Sequence, residues 1–312
     1  MTDLSAGGAI ERGRAALGAV PSPSAEGRLV RPDGRVVAWT ESGRTDGRAL
    51  LRVPGTPGSR YSLPADRSTW MELGLRVIAV ERPGFGVSTR LPGRGFAEHA
   101  DDLAAVLDVL GIDRLPVIGG SGGAPHVLAF AAGHPERVAA ATILDGAAPM
   151  TDEEVVEQTE ANVVADRLAR AGDDVALRSL LEVERAAMLD DAVAAFHAIM
   201  AGAPPDDHAV IDEPDWVDGP GRGFLEAGAP GVDGWVDELL AVDGDWADID
   251  LAAVTTSLTW WHGEDDRNCP ISSARRLVGR LPNARFIGLD GQGHLSGREQ
   301  EGAVLAELLA RA

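Results

Sequence analysis

"VIGGSGGAPHVLAFA", residues 117–131, sets one serine between two pairs of glycines, where an apolar run gives way to an alanine-rich helical pattern. Glycine inside a regular element costs about 1 kcal/mol relative to alanine, so a serine flanked this way needs a steric or a backbone reason. Residues 115–118 read as a short buried strand and residues 124–133 as a helix, with Ser121 at the hinge. A strand that reverses into a helix within about two residues strains the backbone of its central residue and leaves no room for side chains two positions to either side. Gly119 and Gly123 occupy those positions.

A glycine-rich turn used only for tight packing would look similar, but strand, turn and helix here all sit where a nucleophile elbow needs them. Such an elbow raises the serine hydroxyl above the sheet and points the N–H of the next residue, Gly122, at a reacting carbonyl oxygen. A phosphate-binding loop is excluded. The chain has no lysine, so it has no Walker sequence, and none of "GGSGGAP", "PGFGVS" and "GQGHLS" completes a GxGxxG fingerprint. The stretch resembles the elbow of the α/β-hydrolase family.

Composition permits such a protein. The 312 residues, 45% hydrophobic and 25% charged, suffice for one large core plus an insertion. "MTDLSAGGAIERGRAALGAV" at the N-terminus carries no long apolar run, so neither a secretory signal nor a membrane-spanning helix is expected there. The single cysteine, Cys269, allows no intramolecular disulfide, which fits a cytoplasmic location.

The net charge of −21 is concentrated in one segment. Residues 151–248 hold 25 acids against 5 arginines, and the rest of the chain holds 24 against 23. This step marks a compositional boundary. The segment opens with apolar residues at helical spacing and closes rich in Gly, Asp and Trp, so a mostly helical cap is expected over 151–248, inserted into a core made of 1–150 and 249–312. Its acidity disfavours nucleic acid and anionic membranes as partners and is expected to form a solvated face.

Outside the segment, strands and helices alternate, the pattern of a mostly parallel, doubly wound α/β sheet. "RLVRPDGRVVAWTES" reads as a hairpin turning at Asp33-Gly34, and "ALLRV", "LRVIAVE", "RLPVIG", "AATILDG", "TSLTWWHG" and "ARFIGLD" as buried strands. Helices are expected at "SLPADRSTWMELG", "FAEHADDLAAVLDVLG", "APHVLAFAAGHP", "ISSARRLVGRL" and "REQEGAVLAELLARA". A hairpin followed by alternating units, with a cap after the sixth strand, is similar to the α/β-hydrolases over residues 28–310.

A serine nucleophile needs a general base, and the base an acid that holds its tautomer, in the chain order Ser, Asp or Glu, His for this fold. The loop "GQGHLSG" after the last strand supplies His294. The loop "EDDRNCP" supplies three consecutive acids, and the family's usual Gly-x-x-Asp spacing assigns Asp266, with Asp265 and the strand-end Asp145 as alternatives. His99, His126, His134, His197, His208 and His262 are each explained by packing or capping.

The resemblance also implies oxyanion donors at the N–H groups of Thr56 and Gly122. In "VPGTPGSR", Pro54 stands where the family commonly has a histidine that is expected to support this loop, and the Thr56–Pro57 bond is a candidate for cis. "ERPGFGVS" resembles a further family motif, with Glu81 where Asp is usual. Trp216, Trp235, Trp246, Phe224 and Met188 are candidates for an apolar pocket. The expected activity is hydrolysis of a neutral or apolar ester, lactone or related acyl compound, with no cofactor and no metal. Alternatives are a non-hydrolytic enzyme on the same scaffold (acyl transfer, cyclisation or peroxide-dependent chemistry), a proline-iminopeptidase-like aminopeptidase, and an inactive binding protein.

Overall fold

The computed structural model describes residues 22–295 and 300–312. The N-terminal stretch read above for signals and the first residues of "REQEGAVLAELLARA" lie outside the described residues.

Among the described residues, one eight-stranded sheet runs in the order β1-β2-β4-β3-β5-β6-β7-β8. β1 (Ala25–Val30) and β2 (Val36–Gly43) form the antiparallel hairpin, turning through Gly34 at φ +88°. β2 is also antiparallel to β4 (Leu75–Val80). From β4 onward the pairing is parallel, through β3 (Arg48–Val53), β5 (Leu115–Gly120), β6 (Val138–Leu144), β7 (Leu258–Gly263) and β8 (Ala284–Leu289).

Side chains alternate across this sheet with period two, which divides the core between its faces. Leu51, Ile78, Val80 and Val117 pack against α2 (Ala97–Val109) and α3 (Ala124–Gly133). Leu50, Val77, Ala79 and Ile118 pack on the opposite side against Trp70 of α1 (Ser68–Glu72) and against Val304, Leu305 and Leu308 of the helix Glu301–Arg311. α1 is shorter than the sequence pattern suggests. Pro64 cannot continue a ladder of N–H donors, and the Asp66 carboxylate accepts from Ser68 N at 2.8 Å, fixing a turn just before the helix.

Between β6 and β7 the described residues form helices and no strand: α4 (Asp152–Val155), α5 (Glu160–Arg170), α6 (Asp174–Asp190), α7 (Ala192–Ile199), α8 (Pro205–Ile211), α9 (Pro214–Trp216), α10 (Arg222–Gly228) and α11 (Asp233–Val242). The insertion begins at a capping box. Thr151 Oγ1 accepts from Glu154 N, and Glu154 Oε2 accepts from Thr151 N at 2.8 Å. The inserted helices pack on one another through Leu177, Leu181, Met188 and Trp235, and on the core through Phe85. Six of the segment's acids are buried, Glu154, Asp166, Asp207, Glu226, Asp237 and Glu238, so the solvated face expected from composition describes only part of it.

Candidate functional site

Ser121 lies where β5 meets α3, with φ +50° in the left-handed region. That conformation costs a non-glycine residue about 1–3 kcal/mol, so the surroundings must enforce it. They do so by contact. A Cβ on Gly119 would come 2.6 Å from Val127 Cγ2, on Gly123 2.7 Å from the Val53 carbonyl oxygen, and on Gly122 2.3 Å from Thr56 Oγ1. The serine is therefore flanked by glycines because neighbouring segments press against the turn.

The loops after β7 and β8 meet above it. His294 Nε2 lies 3.1 Å from Ser121 Oγ, and His294 Nδ1 lies 2.8 Å from Asp266 Oδ2. The other oxygen of Asp266 accepts from the backbone N–H groups of Asn268 at 2.7 Å and Cys269 at 2.9 Å. Burial disfavours charge on both side chains, but their mutual attraction outweighs it. The Asp266 carboxylate lifts the His294 imidazolium to about 9, and His294 with His262 holds Asp266 well below the usual carboxylate range.

His262 is a second histidine against Asp266. Its Nδ1 accepts from Trp260 Nε1 at 3.0 Å, which places its proton on Nε2, and that proton faces the Cys269 carbonyl oxygen at 2.7 Å and Asp266 Oδ2 at 3.2 Å. His294 Nδ1 hydrogen-bonds Asp266, and neither alternative acid is hydrogen-bonded to that ring. Asp265 is exposed, and Asp145 turns an oxygen to Gly263 N at 2.8 Å, pushed up to about 7 by burial and by the charge of Asp266.

The loop "VPGTPGSR" runs alongside. A Cβ on Gly55 would lie 3.1 Å from Ser121 Cβ, the Thr56 nitrogen lies 3.3 Å from where a Gly122 Cβ would be, and the Thr56–Pro57 bond is cis. Behind this loop is a buried ionic cluster that the sequence did not announce. Arg82, 0% exposed, donates to Gly55 O, to Thr56 Oγ1 at 3.0 Å and to Glu238 Oε1 at 2.9 Å. Glu238, from α11, also binds Arg94 and accepts from His126 Nε2 at 3.0 Å, and His126 Nδ1 faces His99 Nδ1 at 3.0 Å. Burial lowers Arg82 to about 10 and His126 to about 4 and puts His99 well below its usual range; burial also works against the charge of Glu238, but Arg82 and Arg94 keep it ionised.

Two cavities meet at Ser121. The larger, about 270 Å³, is walled by Phe196, Met200, Val210, Trp216 and Phe224. Phe196 stacks on Phe224 at 4.2 Å and meets Trp216 edge-on at 4.7 Å. The smaller, about 130 Å³, is bordered by Leu181, Trp235 and Leu239 together with Asp166, Glu184 and Asp243. Burial pushes Glu184 up to about 7 and raises Asp166 and Asp243, and Arg170 binds Asp166 at 2.6 Å. Trp246 and Met188 line neither cavity. Trp246 is buried against Phe96 in the main core, and Met188 lies within the packing of the inserted helices.

An alpha/beta hydrolase fold family model matches residues 48–297. The chain belongs to the α/β-hydrolase family. A non-heme haloperoxidase of Rhodococcus erythropolis is 27% identical over 89% of this chain and 96% of its own length. A 2-hydroxy-6-oxononadienedioate/2-hydroxy-6-oxononatrienedioate hydrolase of Paraburkholderia phymatum is 28% identical over 71% of this chain and 70% of its own. A bifunctional esterase/perhydrolase of Acinetobacter calcoaceticus is 30% identical, but over only 39% of this chain and 45% of that relative's length. Among solved structures, a thermophilic esterase from Thermogutta terrifontis superposes with a TM-score of 0.64 at 21% identity, covering 92% of this chain and 99% of its own. As an α/β-hydrolase, the protein is an enzyme of the hydrolase type.

Arg82, Arg94, Asp207 and Glu238 escaped the sequence reading, and His262, assigned there to packing or capping, stands against Asp266. Arg82 sits inside "ERPGFGVS", next to the noted Glu81, whereas Asp207 and Glu238 have the same local pattern as the exposed acids around them.

Proposed function

We propose that the protein is a serine hydrolase of a neutral, largely apolar ester or lactone. The observation that carries this reading is the relay Ser121 Oγ, His294 Nε2, His294 Nδ1, Asp266 Oδ2, with gaps of 3.1 and 2.8 Å. Ser121 Oγ attacks the carbonyl carbon as its proton passes to His294 Nε2, and Asp266 holds the ring and stabilises the imidazolium. The oxyanion is received by the N–H groups of Thr56 and Gly122. His294 then gives its proton to the leaving oxygen, the C–O bond breaks, and water, deprotonated by the same imidazole, resolves the acyl-enzyme. The helices of 151–248 act as a cap, and the aromatic wall it lends the larger cavity suits an apolar acyl or alcohol group.

One observation favours a second reading. Asp166, Glu184 and Asp243 border the smaller cavity, which suits the amine of an aminoacyl substrate. Their raised pKa values and the Arg170 counter-ion leave little free negative charge there, so the ester reading ranks first. Fluorophosphonate labelling followed by a screen of p-nitrophenyl esters and aminoacyl anilides of graded size tests both. Labelling of wild type but not of Ser121→Ala, with turnover of esters only, is the expected result. Labelling that survives Ser121→Ala would remove the nucleophile assignment.

A further inference from the structure

The carbonyl oxygen of Gly55 and the N–H of Thr56 belong to one peptide group. Arg82 donates to that carbonyl oxygen with one arm of its guanidinium, while the other reaches Thr56 Oγ1 and Glu238 Oε1. We propose that Arg82 is a positioning residue for the oxyanion loop, fixing the plane of the Gly55–Thr56 peptide and polarising it so that the Thr56 N–H becomes a stronger donor. The proposal rests on the serine-hydrolase reading and assigns a role that Pro54, with neither an imidazole nor an N–H, cannot perform.

Three features support it. A charged donor on an amide oxygen draws electron density from the amide nitrogen, and linked hydrogen bonds strengthen one another by about 10–30% each. A planar guanidinium spans Gly55 O and Glu238 together, which a single ammonium does not. The cluster is also a poor way to build a core. Among the described residues, Arg82 Nε and Arg94 Nε and Nη1 are buried with no hydrogen-bond partner, and two guanidinium groups share the one carboxylate of Glu238 while His99 and His126 stay neutral. Well-packed apolar residues of similar volume usually serve stability as well or better, so a purely structural purpose leaves this arrangement unexplained. Its consequence is a surplus positive charge behind the loop where negative charge develops on the substrate.

The residues come from three places. Arg82 follows β4, Arg94 precedes α2, and Glu238 belongs to the inserted helix α11. Seating of the insertion on the core thus supplies the carboxylate that aims Arg82.

Arg82→Met is the informative variant, because it leaves Glu238 balanced by Arg94. Measured on p-nitrophenyl esters, kcat should fall about 10- to 100-fold, a fraction of what losing an oxyanion donor outright removes, with KM within about twofold. Affinity for phenylboronic acid, whose tetrahedral adduct on Ser121 places an oxygen in the oxyanion position, should fall by the same factor. The acidic limb of the pH profile should stay in place, since none of the hydrogen bonds of Arg82 involves His294. Arg82→Lys should recover part of kcat, and it carries the same test if Arg82→Met does not fold. An active wild type beside variants with unchanged kcat, or with losses matched by a fall in folded fraction, overturns the proposal alone. A wild type that neither labels with fluorophosphonate nor hydrolyses esters overturns the serine-hydrolase reading, and the proposal with it.

Discussion

Asp207, on inserted helix α8, accepts hydrogen bonds from the backbone N–H groups of His294 at 3.0 Å and Leu295 at 2.8 Å. A carboxylate of the insertion thus grips the loop that carries the histidine facing Ser121. Gly293 leaves room for it, since a Cβ there would come 2.3 Å from an Asp207 oxygen. Asp207→Ala strands two N–H groups, at about 1–3 kcal/mol for each that stays buried, and releases the His294 ring from its register. Thermal denaturation should show a lower midpoint, and ester kinetics a kcat reduced about 10- to 100-fold, the scale of a displacement near 1 Å. Asp207→Asn, which keeps one carbonyl oxygen, should fall between. Unchanged kcat in both variants would reduce Asp207 to a structural anchor.

The His294–Asp266 pair dictates the pH dependence. Only neutral imidazole accepts the Ser121 proton, and the adjoining carboxylate raises His294 above the usual value near 6.5, to about 9. kcat/KM should therefore climb with pH along a limb well above 6.5. Asp266→Asn removes the charge that raises His294 and frees the ring to take the wrong tautomer. The limb should move to lower pH and kcat should drop by about 10⁴-fold. A limb that Asp266→Asn leaves in place would return the acid role to Asp145.

How far the site was legible follows from what each residue's role depends on. Ser121 was read from steric need at the turn, His294 from its place after the last strand and the chain order expected of this fold, and Asp266 only through the resemblance, by the family's Gly-x-x-Asp spacing. In the structure each of these three side chains lies within hydrogen-bond distance of the next. Asp207 and Glu238 were not readable, because whether a helical acid is buried depends on what packs over it. Trp246 was expected near the pocket for its aromaticity, but its ring belongs to the sheet core against Phe96. Similarly, "SLPADRSTWMELG" has helical periodicity, yet Pro64 and the Asp66 turn limit its helix to Ser68–Glu72.

The aromatic wall should set substrate size. Phe196, Trp216 and Phe224 touch one another in the larger cavity, so truncating one enlarges the space without exposing an unpaired polar group. Phe224→Ala should lower kcat/KM for short-chain p-nitrophenyl esters by about 10- to 100-fold, as about 1–3 kcal/mol of apolar contact is lost, and shift the optimum to longer or branched acyl chains. An unaltered chain-length profile would mean that the acyl group lies in the other cavity.

Salt dependence separates the ester reading from the amine reading. Of the buried acids in 151–248, Glu154 pairs with Arg276, Asp166 with Arg170, Asp237 with Arg90 and Glu238 with Arg82, while Asp207 holds backbone N–H groups. The four charges paired with arginines are neutralised locally, and the exposed acids are screened beyond about 10 Å at 0.1 M salt. For a neutral ester, kcat/KM should change less than about twofold as salt passes through that range, because there is no substrate charge to steer. An aminoacyl anilide should be a poor substrate at every ionic strength, since Glu184 at the smaller cavity is pushed up to about 7 and is only partly charged at neutral pH. A steep fall confined to the anilide, abolished by Glu184→Gln and absent for the ester, would show that the carboxylate selects an amine, and would move the aminopeptidase reading to first place.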